Sequence, residues 1–320
     1  MRTGFNTGWC VFLRKGERIM IIVAGSMNYD IILKVKRMPH EGETMTCESA
    51  SVAAGGKGAN QAVQTAKLGV KTYMIGAVGN DNMGSFLLDE AVKYGLDVSL
   101  VKRSGVSTGM GCIHALEDGR VFATINKGAN YDLTIRDIDA SEDLFSQAKI
   151  LILQNEIPHE VNIYAAELAK KHGLKVLYNA APAFPEKKEV LSKADVVIVN
   201  EGEASSYLGV KISSVEDAER EGLKISAEMS NTWVITMGSH GSVICSEGRS
   251  EIVRPYKVDA VETTGAGDSY IGGLGYALIN GMDIFSAAKF ATKCSAVTVC
   301  GIGAQNSMPT LAQIIERFGE

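Results

Sequence analysis

Proline, tryptophan and histidine are all scarce in this 320-residue sequence, with 6, 2 and 5 residues respectively. Its 6 cysteines are scattered and form no C-x-x-C pair, a pattern typical of a reduced protein in a chain of this length. We therefore predict a cytoplasmic location without a disulfide framework. The histidines lack metal-ligand spacing, which disfavours a structural zinc site, and no apolar run approaches the ~20 residues of a membrane span.

Positive charge is also in deficit. The 32 Lys and Arg residues against 37 Asp and Glu residues give a formal net charge of −5. This balance disfavours nucleic acid or an anionic membrane as the main partner, so we predict neither. The hydrophobic fraction of 46% and the charged fraction of 22% are ordinary for a globular protein with a large core.

The first 19 residues differ from the rest. Their one apolar patch, Trp9 to Leu13, is too short for the apolar core of a signal peptide and is followed at once by Arg14 and Lys15. A strongly apolar segment begins at Met20. We predict that residues 1–19 form a leader without a catalytic role and that residues 20–320 form one domain.

From Met20 onward, short apolar runs alternate with amphipathic stretches, which predicts an α/β fold with a mostly parallel sheet flanked by helices. The predicted strands lie at 20–25, 72–77, 149–154, 174–178, 195–199, 232–237 and 242–246. The predicted helices lie near 58–68, 80–94, 159–172, 201–207, 213–230, 267–280, 283–300 and 310–318. Segments 30–54 and 107–127 instead look like paired strands joined by turns, and we predict that they form a small inserted β-sheet lid.

The first glycine-rich motif directly precedes a predicted helix and reads Gly55-Gly56-Lys57-Gly58-Ala59-Asn60. Glycines at a helix entrance allow backbone N–H groups to approach a ligand closely. Lys57 and Asn60 add donors suited to hydroxyls or phosphate. A plain turn into a helix would give the same pattern. The spacing fits neither a P-loop nor a dinucleotide-binding fingerprint.

The second motif, Thr263-Thr264-Gly265-Ala266-Gly267-Asp268, also leads into a helix. Its N–H groups at a positive helix N-terminus form a potential anion hole. Asp268 could simply cap the helix. A carboxylate beside an anion hole is also what phosphoryl transfer requires, because it can orient and deprotonate an attacking hydroxyl.

Further polar residues follow predicted strands, where ligands of open α/β sheets bind. Asn28 and Asp30 follow the first strand, Glu156 another, and Asn200 and Glu203 a third. The last pair could hold water around Mg²⁺ or could form an ordinary capped helix. The strand–turn–strand segment at 236–241 could lie along a nucleotide, with His240 as a solvated turn residue rather than a catalyst.

In this order, the segments closely resemble the ribokinase family, also called the PfkB carbohydrate kinases. Its two signatures, G-G-K-G-A-N and D-T-x-G-A-G-D, are matched by Gly55–Asn60 and Glu262–Asp268. The resemblance covers about residues 20–318. It implies an ATP-dependent kinase acting on a small sugar, with the 5-hydroxyl of D-ribose as the leading candidate. It also implies a lid that closes over the sugar and often forms a homodimer surface.

The resemblance assigns roles to individual residues. Asp268 would be the base, and Gly265, Ala266 and Gly267 the anion hole. Besides Asp268, the implied sugar-binding positions are Asn28, Asp30, Gly56, Lys57, Gly58, Ala59, Asn60 and Glu156. The implied nucleotide positions are Asn200, Thr236, Met237, Gly238, Ser239, His240, Gly241, Gly267, Asp268 and Thr292. Mg²⁺ would lie near Glu203, bound through water.

The segment at 304–307 is similar to a family loop that encloses a monovalent cation. K⁺ would be held by oxygens of Glu262, Thr264, Thr298, Gly301, Gly303 and Ser307. Two positions depart from the usual pattern, because Glu262 replaces Asp and Gly301 replaces an Arg found in many of these kinases. The longer arm of Glu262 could displace the cation.

The sequence leaves other functions open. A kinase of the same family could act on deoxyribose, a nucleoside or a keto-sugar. A protein that only binds sugar or nucleotide is a second alternative, although Asp268 argues against it because a pure binder needs no base.

Overall fold

The computed structural model describes residues 20–117 and 120–319, so the predicted leader lies outside the described residues. The strands are β1 (Met20–Ala24), β2 (Asn28–Val35), β3 (Ser49–Gly55), β4 (Lys71–Gly79), β5 (Asp97–Ser104), β6 (Gly109–Leu116), β7 (Val121–Asn126), β8 (Ile150–Gln154), β9 (Lys175–Asn179), β10 (Val196–Asn200), β11 (Thr232–Thr236), β12 (Ser242–Ser246) and β13 (Arg249–Val253). The helices are α1 (Lys57–Lys67), α2 (Asn82–Lys93), α3 (Ile135–Asp139), α4 (Glu142–Phe145), α5 (His159–Lys171), α6 (Glu189–Lys193), α7 (Glu201–Leu208), α8 (Val215–Met229), α9 (Ala266–Ile279), α10 (Ile284–Thr298) and α11 (Leu311–Phe318).

Nine of the described strands form the large sheet, in the order β13-β12-β11-β10-β9-β8-β1-β4-β5. Its neighbours pair in parallel from β5 to β11, whereas β12 pairs antiparallel with both β11 and β13. The fold class is therefore the predicted mostly parallel α/β sheet. The carboxyl ends of its parallel strands meet at one edge, where side chains from distant parts of the chain come together.

Two apolar cores cover the two faces of this sheet. Successive residues of a strand point to opposite faces, so Ile21 and Val23 pack on one side and Ile22 and Ala24 on the other. The first core contains buried residues of α1, α2, α9 and α10, and the second those of α5, α7 and α8. Continuous burial on both faces explains why these strands are uninterrupted apolar runs.

A second sheet contains four of the described strands, in the order β3-β2-β6-β7. Its central pair, β2 and β6, is parallel, and both outer pairs are antiparallel. These strands fall within or just beside the predicted lid segments 30–54 and 107–127. The lid is joined closely to the main sheet, because β2 begins four residues after β1 ends and β3 ends two residues before α1 begins.

The sequence prediction missed two strands of the large sheet, β5 and β13. Both lie at its edges and contain several polar residues, unlike the apolar runs used to find the others. Three short helices, α3, α4 and α6, were also not predicted. None of the helices in the described ranges is both long and apolar enough to cross a bilayer.

Candidate active site

The candidate active site lies at the carboxyl ends of β1, β8, β9 and β10, facing the first turns of α1 and α9. The contact between the β1 turn and α1 is made by backbone. The Ala59 N–H donates to the Ser26 carbonyl at 2.9 Å, and a Cβ added to Gly58 would lie 2.5 Å from the Ser26 nitrogen. Glycine at position 58 is therefore required for this close approach, which brings the first motif to the end of β1.

Asp268, in the first turn of α9, is held by two amides from α1. Asn60 Nδ2 donates to Asp268 Oδ2 and Gln61 Nε2 to Asp268 Oδ1, each at 2.9 Å. Burial raises the pKa of Asp268, although Lys57 and these two amides oppose the shift. A carboxyl with a raised pKa is a better proton acceptor than an ordinary surface carboxylate.

Lys57 lies among three carboxylates. Burial disfavours its charge, but the attraction of Asp268, Glu156 and Glu203 prevails and raises the pKa of Lys57. Glu156 also accepts the Lys57 backbone N–H at 3.1 Å and the Ser26 hydroxyl at 2.5 Å. The structure thus brings Glu156 and Asp268 close to the positive charge of Lys57 in the first motif.

Asp30 lies on the lid strand β2, where two glycines make room for its carboxylate. A Cβ on Gly55 would lie 2.0 Å from Asp30 Oδ2, and one on Gly111 would lie 2.3 Å from Asp30 Oδ1. Burial, reinforced by the nearby charge of Glu156, raises the pKa of Asp30 to about 7. Asp30 therefore lies close enough to Glu156 to share its electrostatic environment.

Asn28, two residues earlier on the same strand, is fixed by a residue that the sequence reasoning did not select. Asn130 Nδ2 donates to Asn28 Oδ1 at 2.7 Å, and Asn130 Oδ1 accepts the Met27 N–H at 2.9 Å. Asn130 is buried in a short 3₁₀ helix, Gly128–Asp132, that follows β7. No local sequence pattern marked it, because its partners lie 102 and 103 positions away in the chain.

The turn before α9 has the geometry of an anion site. Gly265 has φ of 77°, and a side chain there would also collide with Ala304. Ala266, predicted as part of the anion hole, donates its N–H to the Thr263 carbonyl within the turn, so this N–H is already used. No hydrogen bond among the described residues uses the N–H groups of Gly267 and Asp268, and no atom lies within 4 Å of a Cβ built on Gly267. These two N–H groups are thus available to an anion.

The segment at 236–241 links β11 to β12 through a 3₁₀ turn, Gly238–His240. Ser239 and His240 are exposed, whereas Met237 is buried. Thr292 is on α10 and its hydroxyl donates to the Ala288 carbonyl at 2.8 Å. The turn follows β11, the sheet neighbour of β10, whose last residue is Asn200.

Asn200 and Glu203 form a reciprocal capping box at the start of α7. The Glu203 N–H donates to Asn200 Oδ1 at 2.8 Å, and the Asn200 N–H donates to Glu203 Oε2 at 2.9 Å. The pair thus forms the ordinary capped helix that the sequence also allowed, yet Glu203 Oε1 takes no part in the cap. Burial raises the pKa of Glu203, with Lys57 and Asp268 both near enough to affect it. One free carboxylate oxygen fits Mg²⁺ bound through water and phosphate oxygens.

The segments at 262–264 and 298–307 lie side by side. Glu262 Oε2 accepts the Gly303 N–H at 3.0 Å, and the Val299 carbonyl accepts the N–H groups of Val261 and Glu262. The Ser307 hydroxyl donates to the Gly303 carbonyl at 2.5 Å. Within the described ranges, the carbonyls of Glu262, Thr264 and Gly301 accept no hydrogen bond. These free carbonyls fit a monovalent cation, whereas Oε2 of the Glu262 carboxylate is already bound to the Gly303 N–H.

A wide groove at the opposite end of the large sheet is lined by residues from α5, α8, β13 and α10. Two ion pairs lie within it, Lys170–Asp195 at 2.5 Å and Lys289–Glu251 at 2.7 Å. It is remote from the strand ends where the motif residues meet, so it is not the candidate site.

Gln61 and Gln305 also belong to the site and were not selected from the sequence. Gln305 Nε2 donates to Asn60 Oδ1 at 3.1 Å, and the Gln305 carbonyl accepts Lys67 Nζ at 3.0 Å. The bond between Gln305 and Asn60 connects the 298–307 segment to Asp268. Burial lowers the pKa of Lys67 to about 8. The available signal was the presence of polar residues on the buried face of α1.

Residues 18–311 match the pattern described as pfkB family carbohydrate kinase. The chain belongs to this family. The family prediction made from the two glycine-rich motifs is therefore confirmed.

Similarity to individual proteins extends over nearly the whole chain. Ribokinase of Schizosaccharomyces pombe is 37% identical over 311 residues, covering 94% of this chain and 98% of its own. Deoxyribokinase of Salmonella typhi is 32% identical, covering 92% and 97%. The structure of Arabidopsis thaliana ribokinase with ribose and ATP matches with a TM-score of 0.84 at 29% identity, covering 92% and 97%. This match confirms the predicted fold of a helix-flanked sheet with a small second sheet.

Proposed function

We propose that this pfkB-family kinase transfers the γ-phosphoryl group of ATP to the 5-hydroxyl of D-ribose. The observation that carries the proposal is the pairing of Asp268, fixed by two amides, with unused N–H groups in the same helix turn. The ribokinase relatives, one of them solved with ribose and ATP, support ribose as the acceptor and ATP as the donor.

In the proposed reaction, Asp268 accepts the proton of the sugar hydroxyl as the hydroxyl oxygen attacks the γ-phosphorus. The bond from that phosphorus to the β–γ bridging oxygen breaks, and ADP leaves. Burial and the raised pKa of Asp268 suit it to this step. The N–H groups of Gly267 and Asp268, together with Gly265, stabilise the negative charge on the transferred group.

Sugar recognition is assigned to residues of the lid and of α1. Asn28 and Asp30 on β2 would approach the sugar from the lid, the 56–60 motif from the start of α1, and Glu156 from the loop after β8. Glu156 holds the motif through the Lys57 N–H, so these positions form one rigid unit. A site that bonds a hydroxyl discriminates against an analogue that lacks it, because its own polar groups are left unpaired.

The nucleotide is assigned to the side of β10 and β11. Asn200, the 236–241 turn and Thr292 would line this region, and Glu203 would hold Mg²⁺ through water. When bound, Mg²⁺ neutralises phosphate charge. K⁺ would bind carbonyls of the 262–264 and 298–307 segments without touching the sugar. A cytoplasmic location and a homodimer formed through the lid complete the proposal.

Deoxyribose is the second candidate acceptor, because the Salmonella typhi deoxyribokinase is 32% identical over almost the same span. The two sugars differ only at the 2-hydroxyl. The distinction therefore rests on whether a polar group of the lid requires that hydroxyl.

The test is ADP release with ribose, 2-deoxyribose, a hexose and a nucleoside in the presence of Mg²⁺. We expect ribose to have the highest kcat/KM, and Asp30→Ala to narrow its advantage over 2-deoxyribose. An Asp268→Asn sample provides the blank for sugar-independent ATP hydrolysis. A nucleoside or hexose as the best acceptor would overturn the ribose assignment, and no acceptor-dependent ADP release would overturn the kinase assignment.

A further inference from the structure

The Asp268 carboxylate has a second contact on α1 besides Asn60. Gln61 Nε2 donates to Asp268 Oδ1 at 2.9 Å, and the Gln61 side chain is fully buried. Since Gln61 has no exposed surface, it is placed to act on Asp268 rather than on a substrate. The direction in which its amide points depends on the residues around it.

Two neighbours determine that direction. Gln154 Nε2 donates to Gln61 Oε1 at 2.8 Å, and Gln61 Nε2 donates to Asn179 Oδ1 at 3.2 Å. Asn179 is in turn fixed by its own Nδ2, which donates to the Ile198 carbonyl at 3.2 Å. A backbone carbonyl can only accept, so this bond sets the orientation of Asn179 and therefore of Gln61.

The two neighbours are themselves placed by the large sheet. Gln154 and Asn179 are the last residues of β8 and β9 and pair directly in register. Gly25 at the end of β1 makes room for Gln154, since a Cβ there would lie 1.9 Å from Gln154 Oε1. Residues of β8, β9 and β10, with Gly25 at the end of β1, therefore impose one amide orientation on Gln61.

We propose that Gln61 is a positioning residue for the phosphoryl-transfer reaction. Its side-chain amide, oriented by Gln154 and Asn179, fixes the rotation of the Asp268 carboxylate through a hydrogen bond. The inference rests on the proposed role of Asp268 as the base. A buried carboxylate needs hydrogen-bond donors to remain charged, and Gln61 supplies one of the two side-chain hydrogen bonds that Asp268 accepts from α1.

The test is the pH dependence of kcat for ribose phosphorylation by Gln61→Leu. A hydrogen bond to a charged group lost from Asp268 raises its pKa, so we expect the acid limb to move upward by about one to two pH units. At pH 7, kcat is expected to fall by roughly 10- to 100-fold, with ribose and ATP dissociation constants within a few-fold of wild type. The isosteric Gln61→Glu keeps the packing and places a second carboxyl beside Asp268, so its acid limb is expected to move at least as far.

Gln64 provides the matched control on the same helix. It is also a fully buried glutamine with both ends bonded, to the Pro309 carbonyl and the Ser269 hydroxyl, but it does not contact Asp268. Gln64→Leu is expected to lower the unfolding temperature without moving the acid limb. A merely structural role of Gln61 would make the two variants behave alike.

The outcomes separate the two proposals. If Asp268→Asn retains activity, the proposed base is wrong and the inference fails with it. If Asp268→Asn is inactive while Gln61→Leu and Gln61→Glu keep the wild-type acid limb, only the positioning role is overturned. Should Gln61→Leu fail to fold, Gln61→Glu and Gln154→Met decide the matter. Gln154→Met removes the donor that orients Gln61, so a smaller shift in the same direction is expected, and an unchanged limb in both contradicts the inference.

Discussion

At the scale of single residues, Asp268 is distinguished by the two amide hydrogen bonds that its carboxylate accepts from Asn60 and Gln61. Asp268→Asn keeps the size and polarity of the side chain but removes the proton acceptor. We expect kcat to fall by ~10²–10⁴-fold, while ribose and ATP dissociation constants change little. Single-turnover kinetics and calorimetric binding measure the two effects separately. A folded variant that turns over within a few-fold of wild type would mean that Asp268 is only a helix cap.

Asp30 should show its raised pKa in protein stability. Burial and Glu156 raise that pKa to about 7, so the folded chain binds more protons than the unfolded chain between about pH 4 and 7. The contribution of Asp30 to stability therefore decreases as the pH rises through this window. Asp30→Asn is expected to raise the unfolding temperature at pH 8, by roughly 2–4 °C for each kcal/mol recovered, with little change at pH 5.

Calorimetric unfolding at the two pH values checks this expectation, with the exposed Asp89→Asn as the control. The same Asp30 variant is expected to bind ribose more weakly at pH 8, since its charged acceptor is gone. Equal unfolding temperatures for Asp30→Asn and wild type at pH 8 would contradict the unfavourable burial of this charge.

At the scale of elements, the first turn of α9 can be altered without disturbing the fold. A Cβ added to Gly267 would have no atom within 4 Å, and Gly267 has no positive φ, so Gly267→Ala is expected to leave stability unchanged or slightly higher. Its methyl group would obstruct an anion approaching the turn. We expect a loss of kcat of at least several-fold together with weaker ATP binding. Full activity in this variant would exclude the turn as the phosphate site.

The paired segments at 262–264 and 298–307 contain the predicted K⁺ site. Glu262 already links them through the Gly303 N–H. Glu262→Ala removes this side-chain link and leaves only the backbone bonds to the Val299 carbonyl. The ratio of kcat in K⁺ to kcat in Na⁺ at equal ionic strength is therefore expected to increase, because the cation then has a larger share in holding the segments together. Glu262→Asp is expected to retain K⁺ activation, and K⁺ should raise the unfolding temperature of Glu262→Ala. Equal rates and equal unfolding temperatures in K⁺, Na⁺ and a bulky organic cation would show that no such site operates.

The elements that could be predicted from sequence were those with a strong hydrophobic pattern. β1, β8 and β10 are buried on both faces and appear as continuous apolar runs. The edge strands β5 and β13 have partly exposed faces, so their mixed pattern gave no such signal. Amphipathic helices such as α8 were located within two residues at each end, because helical periodicity and the Ser214 cap agree.

The candidate site was predictable to the extent that its residues follow strands or open helices. That rule selected Asn28, Asp30, Glu156 and Asp268. It could not select Gln61 or Asn130, because their importance depends on hydrogen bonds to residues between 93 and 207 positions away in the chain. The direction of an amide is a property of the assembled sheet and has no local sequence signal.

At the scale of the whole molecule, the lid presents exposed apolar residues. Val121 is 61% exposed, Ile125 is 49% exposed and Val52 is 50% exposed. We expect these residues to pair with the lid of a second copy, so that Val121→Lys dissociates the dimer in analytical ultracentrifugation. Val210→Lys, an exposed valine after α7, is the control and is expected to leave the mass unchanged. A wild-type monomer at every concentration would exclude the lid as a dimer surface.

The short connections of the lid have a consequence for binding equilibria. β2 leaves the main sheet through three residues after β1, and β3 returns to α1 through Gly56 alone. The lid therefore cannot shift without moving Asn28, Asp30 and the entrance of α1. When two binding events favour the same lid position, each raises the affinity of the other by the same factor. In the proposed lid dimer, association of two copies and binding of the sugar would be linked in this way, and dilution of the enzyme is expected to weaken its apparent affinity for ribose.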